Sequence, residues 1–87
     1  MFQKNHGRIN WFAIKTDKGF YRQFQSFEND INELSTVFMY GSKKEALKRF
    51  EIAKSRAKQA AKNGIAAAKD FPQTCEIVKV IREPSYF

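Results

Sequence analysis

The sequence predicts an α+β fold: a four-stranded, mainly antiparallel sheet packed on one face by a single long basic amphipathic helix, in the order β-β-β-α-β. Three observations predict it. Two aromatic-rich runs, Ile9 to Lys15 and Phe20 to Phe27, flank Asp17-Lys18-Gly19 as the arms of a β-hairpin. Ser42-Lys43-Lys44-Glu45 has the spacing of a capping box and opens a stretch of helical periodicity that reaches Asn63. Thr74 to Arg82 then supplies a branched, apolar C-terminal strand. At 87 residues the chain is one domain with one modest core. Nine Phe, three Tyr and one Trp provide the large side chains that so small a core needs. Residues 1–8 are expected to form a flexible leader and residues 84–87 a tail.

Within the hairpin, Asp17 favours the turn and Gly19 can take the positive φ that a short loop requires. Alternation puts Phe12 and Ile14 on one face of the sheet and Trp11 and Ala13 on the other. In the second arm, Phe20 and Phe24 oppose Tyr21 and Gln23. Both faces therefore carry aromatics, and the one away from the helix needs either a second packed layer or a ligand. Glu28 to Ser35 is a polar connection in which Ile31 and Leu34 are spaced for one helical turn. Thr36 to Tyr40 reads as a short third strand, ended by Gly41. In the helix, Ala46, Leu47, Phe50, Ala53, Ala57, Ala60 and Ala61 fall in one arc, and burial of Leu47, Phe50, Ala53 and Ala57 is expected. Asn63-Gly64 is its expected C-cap, with Ile65 covering the end. Ile65 to Lys69 is expected to add a short second helix, broken at Asp70-Phe71-Pro72. Ile77, Val78, Val80 and Ile81 imply burial of the last strand on both faces.

The charge has a direction. Between Ser42 and Lys69 seven Lys and two Arg face only Glu45 and Glu51, so this segment holds a net +7, the whole net charge of the chain. Such a field favours a polyanionic or acidic partner. Lys44, Lys48, Lys58 and Lys62 stand nearly in line on the side opposite the apolar arc, beside Arg49 and Arg56, and Ile52 is the large apolar residue among them. Pairing of Glu45 with Arg49, and of Glu51 with Lys54 or Lys58, is expected to offset part of their repulsion. The blander reading of this stripe is the solvated face of an amphipathic helix. Trp11, Phe20, Tyr21 and Tyr40 likewise divide between core residues and stacking platforms. The core role is the commoner one for such rings, and Lys15 and Arg22 on the same hairpin moderate that preference, because interleaved bases and rings suit a nucleic-acid backbone and its bases.

Catalytic chemistry finds little material. His6 is the sole histidine, in a polar leader, so neither a metal site nor a histidine-based triad is expected. Cys75 sits among apolar strand residues as an expected inert thiol. Asp17, Glu28, Asp30 and Glu33 fall in turns, and four scattered glycines build no phosphate loop. No enzyme activity, cofactor, metal or small-molecule substrate is expected. A single Cys, no signal-like stretch and no apolar run of roughly 20 residues lead to the expectation of a cytoplasmic protein that does not span a membrane.

The run Trp11-Phe12-Ala13-Ile14-Lys15 before a Gly-containing turn, the connection Asp30-Ile31-Asn32-Glu33-Leu34, Phe38 ahead of Ser42-Lys43-Lys44-Glu45-Ala46, and the closing Cys75-Glu76-Ile77-Val78-Lys79-Val80 resemble the small accessory proteins of bacteriophages and prophages. The first strands, with Tyr40-Gly41-Ser42-Lys43-Lys44-Glu45-Ala46, are also similar to arm-type DNA-binding domains of phage integrases, in which a three-stranded sheet faces DNA. The C-terminal strand and the basic helix depart from that second pattern. The resemblance implies a bacterial host cell and a phage or mobile-element origin.

Together these readings lead to the expectation of a small non-enzymatic protein that binds nucleic acid through Lys44, Lys48, Arg49, Arg56, Lys58 and Lys62. Trp11, Lys15, Tyr21 and Arg22 are secondary candidates. The alternative is a protein inhibitor or modulator of a host complex, for example an anti-CRISPR or anti-restriction factor. Its basic helix would dock on an acidic surface with Ile52 as an exposed anchor. The sequence leaves the oligomeric state and the choice between DNA and RNA open.

Overall fold

A computed structural model describes residues 9–23 and 26–82. His6 and Phe24, the expected leader at 1–8 and the expected tail at 84–87 lie outside the described residues. The fold is α+β, with four strands, β1 (Ile9–Thr16), β2 (Gly19–Tyr21), β3 (Phe27–Glu28) and β4 (Glu76–Arg82), and one long helix, α1 (Lys43–Lys62). The sheet is antiparallel in the order β3-β2-β1-β4. β1 and β4 form its spine, paired from Ile9 opposite Arg82 to Lys15 opposite Glu76.

The β1-β2 turn closes on Asp17 and Lys18, with Thr16 opposite Gly19. The Thr16 hydroxyl accepts from the Lys18 amide at 3.1 Å and donates to the Gly19 carbonyl at 2.8 Å, which satisfies a buried polar side chain locally. Gly19 has φ +117°, a conformation that costs an L side chain energy.

Three sequence expectations about strands need correction. The second hairpin arm is not one strand from Phe20 to Phe27. Beyond Tyr21 the Arg22 amide donates to the Ser26 carbonyl and the Ser26 amide to that of Gln23, and β3 returns beside β2 with Tyr21 opposite Phe27. The third strand is therefore Phe27–Glu28 and not Thr36 to Tyr40. Thr36–Phe38 instead forms a 3-10 turn, since the Ser35 hydroxyl accepts from the Val37 amide at 3.2 Å and offers that backbone a local partner. Of the expected strand, Tyr40 keeps a single bridge, its amide and carbonyl each bonding to Phe12 at 2.8 Å. Continuing the β1-β2 register would bring Gln23 opposite Phe12, so Tyr40 occupies the place that β2 vacates by turning away. Finally, β4 is covered on both faces only in part, by the helix-side cluster at Ile77 and by the opposite cluster at Val78 and Val80. Ile77, Val78 and Val80 pack inward, but Ile81 is 54 % exposed on this edge strand.

Each face of the sheet carries its own apolar cluster. On the helix side Ile14 and Tyr21 meet Ala46, Phe50 and Ala57 of α1, with Ala68 and Phe71 from the segment after it. Phe71 links the rings, stacked on Phe50 at 5.8 Å between centroids and edge-on to Tyr21 at 5.7 Å. Burying a Phe of this kind stabilises by about 1.5–3 kcal/mol. On the opposite face the connection forms a second packed layer. Leu34 and Met39 cover Ala13 and Phe20, with Trp11, Val78 and Val80 around them. A 3-10 turn at Ile31–Glu33, capped by the Asp30 carboxylate on the Asn32 amide, lies where the sequence placed a helical turn. Arg82 fastens this layer to the sheet by donating to the carbonyls of Leu34 at 2.8 Å and Ile31 at 2.6 Å.

At its start α1 is capped by the Ser42 hydroxyl, which accepts from the Glu45 amide at 3.1 Å. At its end the Ile65 amide reaches the Ala60 carbonyl and the Gly64 amide that of Ala61, the paired bonds of a Schellman motif around Gly64 at φ +90°. A 3-10 segment, Ala66–Asp70, follows in place of an α-helical turn. Alanines on the inner face let the helix lie close to the sheet. One inner residue was misplaced by the sequence: Leu47 is 41 % exposed. Ala46, Phe50 and Ala57 define the buried line, and Leu47 lies about 60° around the helix from Phe50, at the margin of the arc.

Candidate functional site

The exposed side of α1 is built by the same 3.6-residue period that buries Phe50. Lys44, Lys48, Arg49, Arg56, Lys58 and Lys62 are all exposed. Glu51 approaches Lys54 at 3.4 Å, the i, i+3 pair foreseen from the sequence. Lys54 also donates to the Gln73 carbonyl at 3.2 Å and stands over the Phe50 ring at 5.7 Å, so this one lysine is tied to the structure. Among the described residues no carboxylate lies within ion-pair distance of Arg49 or Arg56.

The basic residues do not form one uniform stripe. Lys44, Lys48 and Lys62 project outward, away from the sheet. Arg49, Ile52 and Arg56, spaced i, i+3, i+7, lie on the flank of the helix that faces the end of β2, and all three line a groove of about 460 Å³. Tyr21, Arg22 and Tyr40 form its opposite wall. Its floor is small and apolar, from Ala53, Ala57 and Ala60 of the helix and Ala68 beyond it. Ile65, brought back by the Gly64 cap, closes one end.

Arg22 is half-buried, with its guanidinium carbon 5.2 Å from the centroid of the Phe38 ring, a cation-π contact that orders the side chain. Tyr40 is half-buried, fixed through its backbone to Phe12. Tyr21 is 8 % exposed inside the aromatic cluster with Phe27 and Phe71. The groove thus combines the two helix arginines, Arg49 and Arg56, with an apolar slot, while the Arg22 guanidinium is drawn to Phe38 of the layer under the sheet; such a groove can hold a body with a flat apolar part and a negative charge.

Of the residues singled out in the sequence, the fold brings together Arg49, Ile52 and Arg56 with Tyr21 and Arg22. It leaves Lys44, Lys48 and Lys62 on the outer face, and Lys58 on the far flank of the helix beside Glu51 and Lys54. Trp11 packs into the layer under the sheet and Lys15 is exposed 6.0 Å from the Phe20 ring, so neither joins the groove. Ile52 is half-buried and not the exposed anchor expected from its charged neighbours, because the hairpin end stands beside it. Gln23, Ile65 and Ala68 were not anticipated. The Asn63-Gly64 cap held the signal for Ile65, since a Schellman turn redirects the chain across the helix end.

Cys75 packs against the helix-side cluster, and its thiol is pushed above its ordinary value by burial, then by the Glu51 carboxylate, with Lys54 acting in the opposite sense. It is the opposite of an activated nucleophile. Among the described residues no group of three or more His, Cys, Asp or Glu is placed to hold a metal ion, and no helix is long and apolar enough to cross a membrane. Compared with models of known protein families, with curated proteins and with solved structures, the chain matches none.

Proposed function

We propose that this protein is a small non-enzymatic nucleic-acid-binding module of phage or mobile-element origin, with the exposed side of α1 as its phosphate-binding surface. The observation that carries the reading is the distribution of charge on that helix. Lys44, Lys48, Arg49, Arg56, Lys58 and Lys62 are all exposed, and Glu51, the acid of the central turns, is paired with Lys54. A helix that keeps so many like charges free gains nothing in stability from them. It gains affinity for a polyanion, through release of condensed counterions.

The test is a titration of labelled single-stranded and duplex oligonucleotides at about 50 and about 200 mM salt. Binding that weakens with salt is expected, by about 0.7 to 0.9 log unit per log unit of salt for each phosphate neutralised. No binding to either form at the lower salt removes the reading.

A rival reading is favoured by Leu47, exposed on the same basic helix: the face docks on an acidic protein surface, with Leu47 as its apolar contact. Capture experiments with and without nuclease separate the two. Partners lost on nuclease treatment support nucleic acid, whereas a stoichiometric partner that survives and is released by Leu47→Asp supports docking.

A further inference from the structure

The groove beside α1 is distinct from the outward lysines in both chemistry and shape. Lysines present mobile point charges suited to a phosphate backbone of any form. The groove presents arginines, which bind phosphate through a planar fork and also stack on aromatic faces. Its volume of about 460 Å³ falls within the range of small-ligand sites, about 300–1,000 Å³. A smooth polyanion needs no such slot, and the bases of an intact duplex are turned inward and cannot enter one.

Resting on the nucleic-acid reading above, we propose that this groove seats one unpaired nucleobase of a single strand, with its flanking phosphates held by Arg49 and Arg56. The two arginines stand seven residues apart on one flank, about 10.5 Å along the helix axis, with Ile52 between them. A base entering between these arms lies on Ile52 and Ala60 and faces the Tyr40 ring. Charge complementarity selects an anionic occupant. The apolar floor selects one that carries an uncharged planar part, which an aspartate- or glutamate-rich peptide lacks. The consequence is a preference for single-stranded over duplex nucleic acid, with little dependence on sequence, because every base offers a flat face.

Three probes of equal length test it: a single strand, the same strand in a duplex, and a single strand with abasic sites throughout. The expected order is intact single strand tightest, by about tenfold over the abasic strand. Ala60→Trp, which fills the slot, should remove that gap while leaving duplex affinity within about twofold. Should that variant fail to fold, Arg56→Lys serves instead. It retains the charge, and so the salt slope, but loses the planar fork and should reduce the gap several-fold. Equal affinity for intact and abasic strands overturns the proposal, as does a gap that persists in Ala60→Trp or poly-glutamate competing as well as the intact strand. In the first two outcomes salt-dependent binding remains and the phosphate-binding reading survives. Absence of binding to every probe removes both.

Discussion

Arg82 at the end of β4 donates to the carbonyl of Leu34 at 2.8 Å, joining residues 48 apart in the chain across the packed underside of the sheet. A second nitrogen of the same guanidinium donates to Ile31 at 2.6 Å. One side chain therefore satisfies two carbonyls of a connection whose own order comes from two short capped turns, Ile31–Glu33 and Thr36–Phe38. Hydrogen bonds from a charged donor contribute about 1.5–3 kcal/mol each at most, and solvent access at this half-buried site reduces that. Arg82→Met should destabilise by about 2 kcal/mol in urea unfolding. Arg82→Lys should recover less than half, because an ammonium cannot reproduce the two-pronged geometry. Full recovery by Lys would show that charge alone matters here.

Gly19 and Gly64 both have positive φ, yet their surroundings differ. A Cβ on Gly19 would stand 2.9 Å from the Glu28 backbone oxygen, whereas one on Gly64 would meet nothing within 4 Å. Gly64→Ala should cost only the backbone strain, about 1 kcal/mol. Gly19→Ala adds a clash with main chain that cannot move without parting β2 from β3, so its cost should exceed that of Gly64→Ala by at least about 1 kcal/mol. Urea midpoints of the two variants, measured side by side, give the comparison.

What the sequence revealed and what it hid follow from how local the deciding interactions are. The Ser42 cap, the Gly64 cap and the turn at Asp17-Lys18 are settled within a few residues, and all three were legible. The Ser35 hydroxyl bond that makes Thr36–Phe38 a turn is just as local, but the β-branched and aromatic run around it carries the stronger pattern. The exchange of Gln23 for Tyr40 opposite Phe12 depends on partners far apart in sequence, and no periodicity records it. For the same reason the sequence showed six exposed bases on one helix but not their division. Arg49 and Arg56 lie on a different flank of the helix from Lys44 and Lys48, but what makes that flank a groove wall is the hairpin end beside it, which the sequence does not record.

Cys75 offers a pH test of the helix-sheet contact. Burial, aided by Glu51, favours its neutral thiol in the folded state, so the folded group titrates above its ordinary value of 9.0. The unfolded chain therefore loses its proton first as pH rises. The stability linked to this group is complete below pH 9.0 and is lost as pH rises through that value and up to the higher folded one. Alkylation of the native protein should begin at higher pH than that of the urea-unfolded chain. Glu51→Gln should bring the native onset down and Lys54→Gln should move it up. A native onset at or below the unfolded one contradicts the placement of this thiol.

The outward lysines should trade stability against binding, and the two effects have opposite signs. Lys44 and Lys48 are four residues apart on an exposed helix face, where like charges destabilise by about 0.2–0.5 kcal/mol. Lys48→Gln relieves that repulsion without touching the core, so at low salt the variant should be as stable as the parent or slightly more stable. The gain should fade as added salt shortens the screening length. Nucleic-acid affinity should move the other way, with the salt slope reduced by about one phosphate contact. Leu47→Ala, next to it on the helix, should leave that slope unchanged. A lysine that matters only as a solvated surface charge predicts the small stability gain and no change in binding, so measuring both quantities on one variant decides what the charge on this helix is for.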